Sequence, residues 1–168
     1  VIPYWRKLVV AAHDNGIARI CLELHGAQAV YNPRTLQRLR NVVGETVGAN
    51  YDPSHPIWMG ADPLAAVRAL GEAIYYVHAK DTRIETIPAG IDGVLETAPA
   101  DQAAARGWNY VTLGFGHGEQ WWRAFCATLR RVGYDDVLSI EHEDSLIDPL
   151  EGVRKSVALL RSVAFVPA

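Results

Sequence analysis

The chain has 168 residues, 49% of them hydrophobic and 21% charged, which is enough apolar content to bury one core and too much for a disordered segment. A formal charge of −3 supplies no basic field for a polyanion, so nucleic acid is not expected among its partners. No apolar run reaches the roughly 18–20 residues of a membrane span, and the opening VIPYWRK lacks the order of a signal peptide; with two cysteines, Cys21 and Cys126, reading as buried thiols of a reducing compartment, the cytoplasm is expected.

In chain order, a first helix is expected over 3–15, stopped at Gly16, and a strand over 18–24. Asn32-Pro33 pairs a capping side chain with proline at the first helical position, and Leu36, Leu39, Val42 and Val43 follow at helical spacing. A strand over 47–52 comes next. Asp62-Pro63 opens another helix through Leu64, Val67 and Leu70, followed by a strand over 74–79. Residues 82–118, with glycines at 90, 93, 107, 114, 116 and 118 and prolines at 88 and 99, are expected as a long loop insertion with one short helix near 101–106. As a lid or dimer contact this loop would bring Trp108, Tyr110 and Phe115 over a ligand. A helix over 119–131, with Trp121-Trp122 packing its start, a strand over 137–141, and a helix after Asp148-Pro149 through Val153, Val157, Leu160 and Val163 complete a single domain, 1–168.

Alternating helices and strands predict parallel strands joined by right-handed crossovers, in a doubly wound sheet or a (β/α) barrel. Strand parity carries more. Ile20, Leu22 and Leu24, then Val47, Ala49 and Tyr51, then Tyr75, Val77 and Ala79, then Leu138 and Ile140 suit a helix layer. The opposite rows are polar: Arg19, Cys21 and Glu23; Gly48, Asn50 and Asp52; Tyr76, His78 and Lys80; Ser139 and Glu141. Barrel sites form at the C-terminal ends of strands, and each strand here ends in a group able to bind a metal. Glu23, Asp52, His78 and Glu141 form a hard, oxygen-rich set that suits Mn²⁺, Mg²⁺ or Co²⁺ and suits Zn²⁺ less well.

The runs CLELHG, GANYDPSH, YYVHAKD and LSIEHED, in this order, resemble strands five to eight of the sugar phosphate isomerases/epimerases in the xylose-isomerase-like TIM-barrel superfamily. RGWNYVTLGFGHGEQWW resembles the same group. The resemblance implies an α/β fold of (β/α) TIM-barrel type, here the C-terminal half-barrel of four parallel strands with flanking helices. It implies that Glu23 and Glu141 bind the metal and face the reacting carbon as the acid/base pair, with Asp52 and His78 as ligands only. His55 would contact substrate or metal-bound water; His25, Lys80, Asp81 and His117 are further substrate-binding candidates, and His13 and His142 are read as structural. The implied activity is isomerisation or epimerisation of a sugar or sugar phosphate by proton transfer through a metal-stabilised enediolate. An inosose-dehydratase-like lyase is the alternative, and a type IV AP endonuclease-like repair enzyme, which would need more histidine ligands and a basic rim, lies further off. A full barrel needs roughly 250 residues. The chain is therefore expected to be a truncation completed by an N-terminal half, or else a self-associating half-barrel, and to be inactive alone.

Overall fold

The computed structural model of the chain describes residues 1–95 and 98–165. Its elements run α1 (Ile2–Asp14), β1 (Ile20–Glu23), α2 (Pro33–Val43), β2 (Val47–Tyr51), α3 (Ser54–Trp58), α4 (Pro63–Leu70) and β3 (Ile74–Ala79). They continue with β4 (Asp81–Ile84), α5 (Thr86–Asp92), β5 (Trp108–Val111), α6 (Glu119–Arg131), β6 (Leu138–Ile140) and α7 (Pro149–Val163). The three Asx-Pro steps all open helices. Asn32 accepts from the Thr35 N–H, Asp62 from that of Leu64, and Asp148 from those of Leu150 and Glu151, so each satisfies N–H groups that a helix start leaves without intrahelical partners.

β1, β2, β3 and β6 form one parallel sheet in that spatial order. Strand order follows chain order without reversal, which is the progression of a barrel wall rather than the switch of a doubly wound sheet. The helices pack on one face only. Leu36 and Leu39 from α2, Val67 and Leu70 from α4, Trp122, Phe125 and Leu129 from α6, and Leu160 and Val163 from α7 bury against Val47, Ala49, Tyr51, Val77 and Ala79. This is the row that parity assigned to a helix layer, with one correction. The register shifts between Ala49 and Asn50, pairing Ala49 with Ile74 and Asn50 with Tyr76. Such an irregularity displaces one residue from the alternation. Ile74 therefore takes the core position, while Tyr75 stays half-buried, lies over Gly48, stacks under Arg19 at 4.6 Å and accepts from Arg40 at 3.0 Å.

Two further differences concern exposure and the 82–118 stretch. Cys126 is buried, but Cys21, on the polar row, is exposed. The stretch expected as a loop contains an antiparallel ribbon instead, with Asp81 to Ile84 of β4 paired with Val111 to Trp108 of β5. The short helix near 101–106 appears as a 3-10 turn, Ala100–Ala105. Among the described residues, no helix is long and apolar enough to cross a membrane.

Candidate metal centre

Each strand of the parallel sheet delivers one candidate ligand to the same end and face. Glu23 closes β1, Asp52 follows β2, His78 is the penultimate residue of β3, and Glu141 follows β6. One donor atom from each lies within 4.8 Å of all the others. Oxygen ligands about 2.0–2.6 Å from a single cation can be at most about 5 Å apart, so the four can hold one.

Two observations fit a cation at this point. Asp52 Oδ2 and Glu141 Oε2 are buried oxygens without a well-formed hydrogen bond, although His55 Nε2 lies 3.5 Å from the first and His78 Nδ1 2.8 Å from the second, and a cation would satisfy both. His78 Nδ1 faces both glutamates, 3.3 Å from Glu23 Oε1 and 2.8 Å from Glu141 Oε2. Three carboxylates and one imidazole make a hard donor set, consistent with a magnesium-class ion.

The local fields follow from the same contacts. Hydrogen bonds to His55 and His78 hold the Glu23 carboxyl well below the usual carboxylate range. Burial pushes Asp52 up to about 6, against the pull of nearby His55 and of hydrogen bonds from Ser54. His78 is raised, chiefly by its hydrogen bond to Glu23, with burial opposing and the charges of Glu141, Asp52 and Glu23 reinforcing.

The other candidates fall into two groups. His55, on α3, is 2% exposed, with Nε2 3.3 Å from Glu23 Oε1 and 3.5 Å from Asp52 Oδ2. His25 lies with its ring centroid 4.3 Å from that of His55, and its Nδ1 contacts the Gly26 carbonyl. The Lys80 ammonium donates to Glu141 Oε1 at 3.0 Å and to Glu143 Oε1 at 2.5 Å. Burial works against that charge, but the two glutamates keep it above its ordinary value.

Asp81 and His117 are brought to each other, Oδ1 to Nδ1 at 2.9 Å, and neither makes a hydrogen bond or ion pair to the four ligands among the described residues. Fully buried Asp81 accepts through Oδ2 from the N–H groups of Gly114, Gly116 and His117, which fixes the turn between β5 and α6. A Cβ on Gly116 would meet the Thr82 carbonyl at 2.4 Å, so this close approach needs glycine. His13 contacts Thr46 Oγ1 at 2.7 Å, and the His142 ring packs against Gly152 of α7, both away from the ligand cluster.

The residue reading assigned no role to Asn50 or Glu143, and it offered Tyr110 only as a lid aromatic. Asn50 sits on the polar row of β2, with its amide 3.0 Å from His78 Nε2. With its oxygen turned to His78 it would accept from Nε2–H and leave Nδ1, the nitrogen facing the glutamates, free to bind a cation. Its parity with Asp52 was the available signal. For Tyr110 the signal was absent, since its place depends on a ribbon that closes across more than twenty residues.

The comparisons agree with this geometry. The profile of the xylose isomerase-like TIM barrel family matches residues 1–163. The protein YfiH of Bacillus subtilis (strain 168), described as uncharacterized, is 49% identical over 160 residues, covering 95% of this chain and 51% of YfiH. The probable 3-DHS dehydratase AsbF of Bacillus anthracis, involved in petrobactin synthesis, superposes with a TM-score of 0.66 at 19% identity, over 94% of this chain and 54% of AsbF. A xylose isomerase-like TIM barrel protein of Mycobacterium smegmatis, solved in complex with magnesium, superposes with a TM-score of 0.63 at 18% identity, over 96% of this chain and 49% of its own. The chain thus spans about half the length of each of these relatives. With the profile match over nearly the whole chain and four parallel strands in barrel order, the chain belongs to the xylose isomerase-like TIM barrel family.

Proposed function

We propose that this chain is the ligand-bearing C-terminal half of a divalent-metal-dependent isomerase or epimerase that moves a proton next to a carbonyl of a sugar or sugar phosphate. The observation that carries the reading is the convergence of Glu23, Asp52, His78 and Glu141 from four successive strand ends within 4.8 Å. A cation held there would polarise a ketose carbonyl and neighbouring hydroxyl and acidify the hydrogen between them. Mn²⁺, Mg²⁺ or Co²⁺ suits this donor set, and Zn²⁺ is the further option.

Glu23 and Glu141 come from the first and last strands of the sheet, so they approach a bound sugar from two sides. One takes the proton and the other returns one, to the same carbon for an epimer or to the neighbouring carbon for an aldose–ketose pair. Asp52 holds the cation without sharing in proton transfer, because burial leaves it no access to substrate. Lys80 donates to Glu141 Oε1 at 3.0 Å and so orients its carboxylate in the site. His25 lies on the Glu23 side, where a sugar hydroxyl would be recognised, with the buried His55 against its ring.

The remaining wall of the pocket would come from an N-terminal half or a second copy, with residues 82–118 as an insertion within one domain. A small-molecule substrate and a cytoplasmic location belong to the same proposal. Incubating the intact protein with Mn²⁺ and a panel of ketoses, ketose phosphates and inososes in D₂O, with proton exchange followed by NMR, tests it. Exchange without elimination supports isomerase chemistry, loss of water supports a dehydratase, and no exchange from a metal-loaded protein rejects proton transfer. Glu23→Gln and Glu141→Gln should each abolish exchange.

A further inference from the structure

The ribbon does more than cover the site, because it docks on the helix that carries His55. Thr82 of β4 donates to the Ser54 carbonyl at 3.0 Å, and Trp108 of β5 stacks on Trp58 of α3 with centroids 4.9 Å apart and planes 6° from parallel. Between these two anchors Tyr110 reaches inward. Its hydroxyl lies 3.1 Å from His55 Nδ1, while the other nitrogen of that ring lies 3.3 Å from Glu23 Oε1. The Lys80 ammonium sits 3.9 Å from the centre of the Tyr110 ring, fixing it from the far side.

The donor and acceptor inventory gives this chain a direction. An ionised carboxylate only accepts, so a hydrogen bond to Glu23 requires the proton of a neutral His55 to reside on Nε2. Nδ1 then offers a lone pair, which only a donor can satisfy, and the Tyr110 phenol is the group in range. Burial pushes that phenol well above its ordinary value, so it keeps its proton. His55 is 2% exposed, which leaves little solvent to stand in for the phenol.

We propose that Tyr110 is a positioning residue for the candidate ligand Glu23: its hydroxyl locks His55 in the Nε2–H tautomer, and His55 in turn holds Oε1, the oxygen that also faces His78, so that the carboxylate stays fixed at the cluster. This rests on the reading of Glu23 as a ligand. The consequence is that the ribbon would influence the candidate ligand Glu23 through the Tyr110 hydroxyl.

The test uses the intact protein and Tyr110→Phe, which keeps the ring, the tryptophan stack and the lysine contact. Side-chain ¹⁵N NMR of the metal-free wild type should show His55 as a single tautomer protonated on Nε2, and Tyr110→Phe should shift the Nδ1 resonance and mix the tautomers. Mn²⁺ affinity should fall about tenfold, in the range for partners of metal ligands. In a His55→Gln background, where the amide donates to Glu23 without any tautomer to set, Tyr110→Phe should have no further effect on Mn²⁺ affinity. A wild-type His55 protonated on Nδ1 or on both nitrogens would overturn the proposal, as would unchanged ¹⁵N shifts in Tyr110→Phe or an equal loss of affinity in both backgrounds. A wild type that binds no Mn²⁺ would instead reject the metal reading, while the tautomer measurement still decides the role of Tyr110.

Discussion

The two faces of the parallel sheet differ in how far this chain completes them. On the outer face Val47, Ala49, Val77 and Ala79 are wholly buried beneath the protein's own helices. On the inner face Cys21 is exposed and Glu23, Asn50, Tyr76, His78, Ser139 and Glu141 are half-buried. The buried core lies on the face that the chain's own helices cover, and the candidate metal ligands lie on the other. The deepest inner residue, Asp52, is buried only because it lies at the strand end, where α3 and the ribbon fold over it.

If this division is right, substitutions on the two faces separate cleanly. The largest effect is expected on the outer face. Trp122→Ala removes a fully buried ring packed among Tyr51, Trp121 and Phe125 and should cost about 3–5 kcal/mol in denaturant titration, with whatever metal affinity remains in the folded fraction little changed. On the inner face, Asn50→Ala should leave the midpoint of unfolding nearly unmoved but lower Mn²⁺ affinity by about 10–100-fold in calorimetry, because His78 loses the partner of its Nε2. An Asn50 variant with full affinity would break the comparison.

Asp52 sharpens it through pH. Burial raises this carboxyl to about 6 in the metal-free protein, above its ordinary value of 3.8. A raised folded-state value means that the stabilising contribution is complete below about pH 4 and is lost as pH rises through 6. Asp52→Asn keeps an acceptor for the Ser54 N–H and removes the charge. The metal-free variant should therefore exceed the wild type at pH 7.5 by about 1–2 kcal/mol, with the gap closing towards pH 4. In the wild type, Mn²⁺ binding should weaken as pH falls below 6, where the proton competes for Asp52. The smallest effect is expected at the outer rim of the helix layer. Arg123→Ala breaks an exposed pair with Glu119 one turn away, 2.6 Å apart, and should change thermal stability by less than about 0.5 kcal/mol.

Most of the scaffold was legible from local chemistry. Asx-Pro steps mark the starts of α2, α4 and α7 because a capping oxygen and a pre-set proline φ act within three residues. Parity identified the inner row because side-chain alternation is a property of one strand. That is why the four candidate ligand positions, which the fold brings within 4.8 Å, could be picked out from the strands alone. The failures share one cause. Tyr75 fell out of its row through a register shift between two strands, and Cys21, on the polar row, is exposed. The β4–β5 ribbon joins residues more than twenty positions apart with no tight turn to announce it. Asp81 was expected as a substrate-binding candidate beside Lys80, and its oxygens hold a turn some thirty residues away.

The sequence by itself determined which residues alternate, where helices begin, and that four hard donors stand at four strand ends, since each depends on neighbours along the chain. Tertiary structure alone decided that those strands lie in barrel order with their donors within reach of one cation, that a ribbon folds back onto α3, and that Tyr110 meets His55 there. Those outcomes are set by pairings and packing between distant segments, and no window of sequence contains both partners.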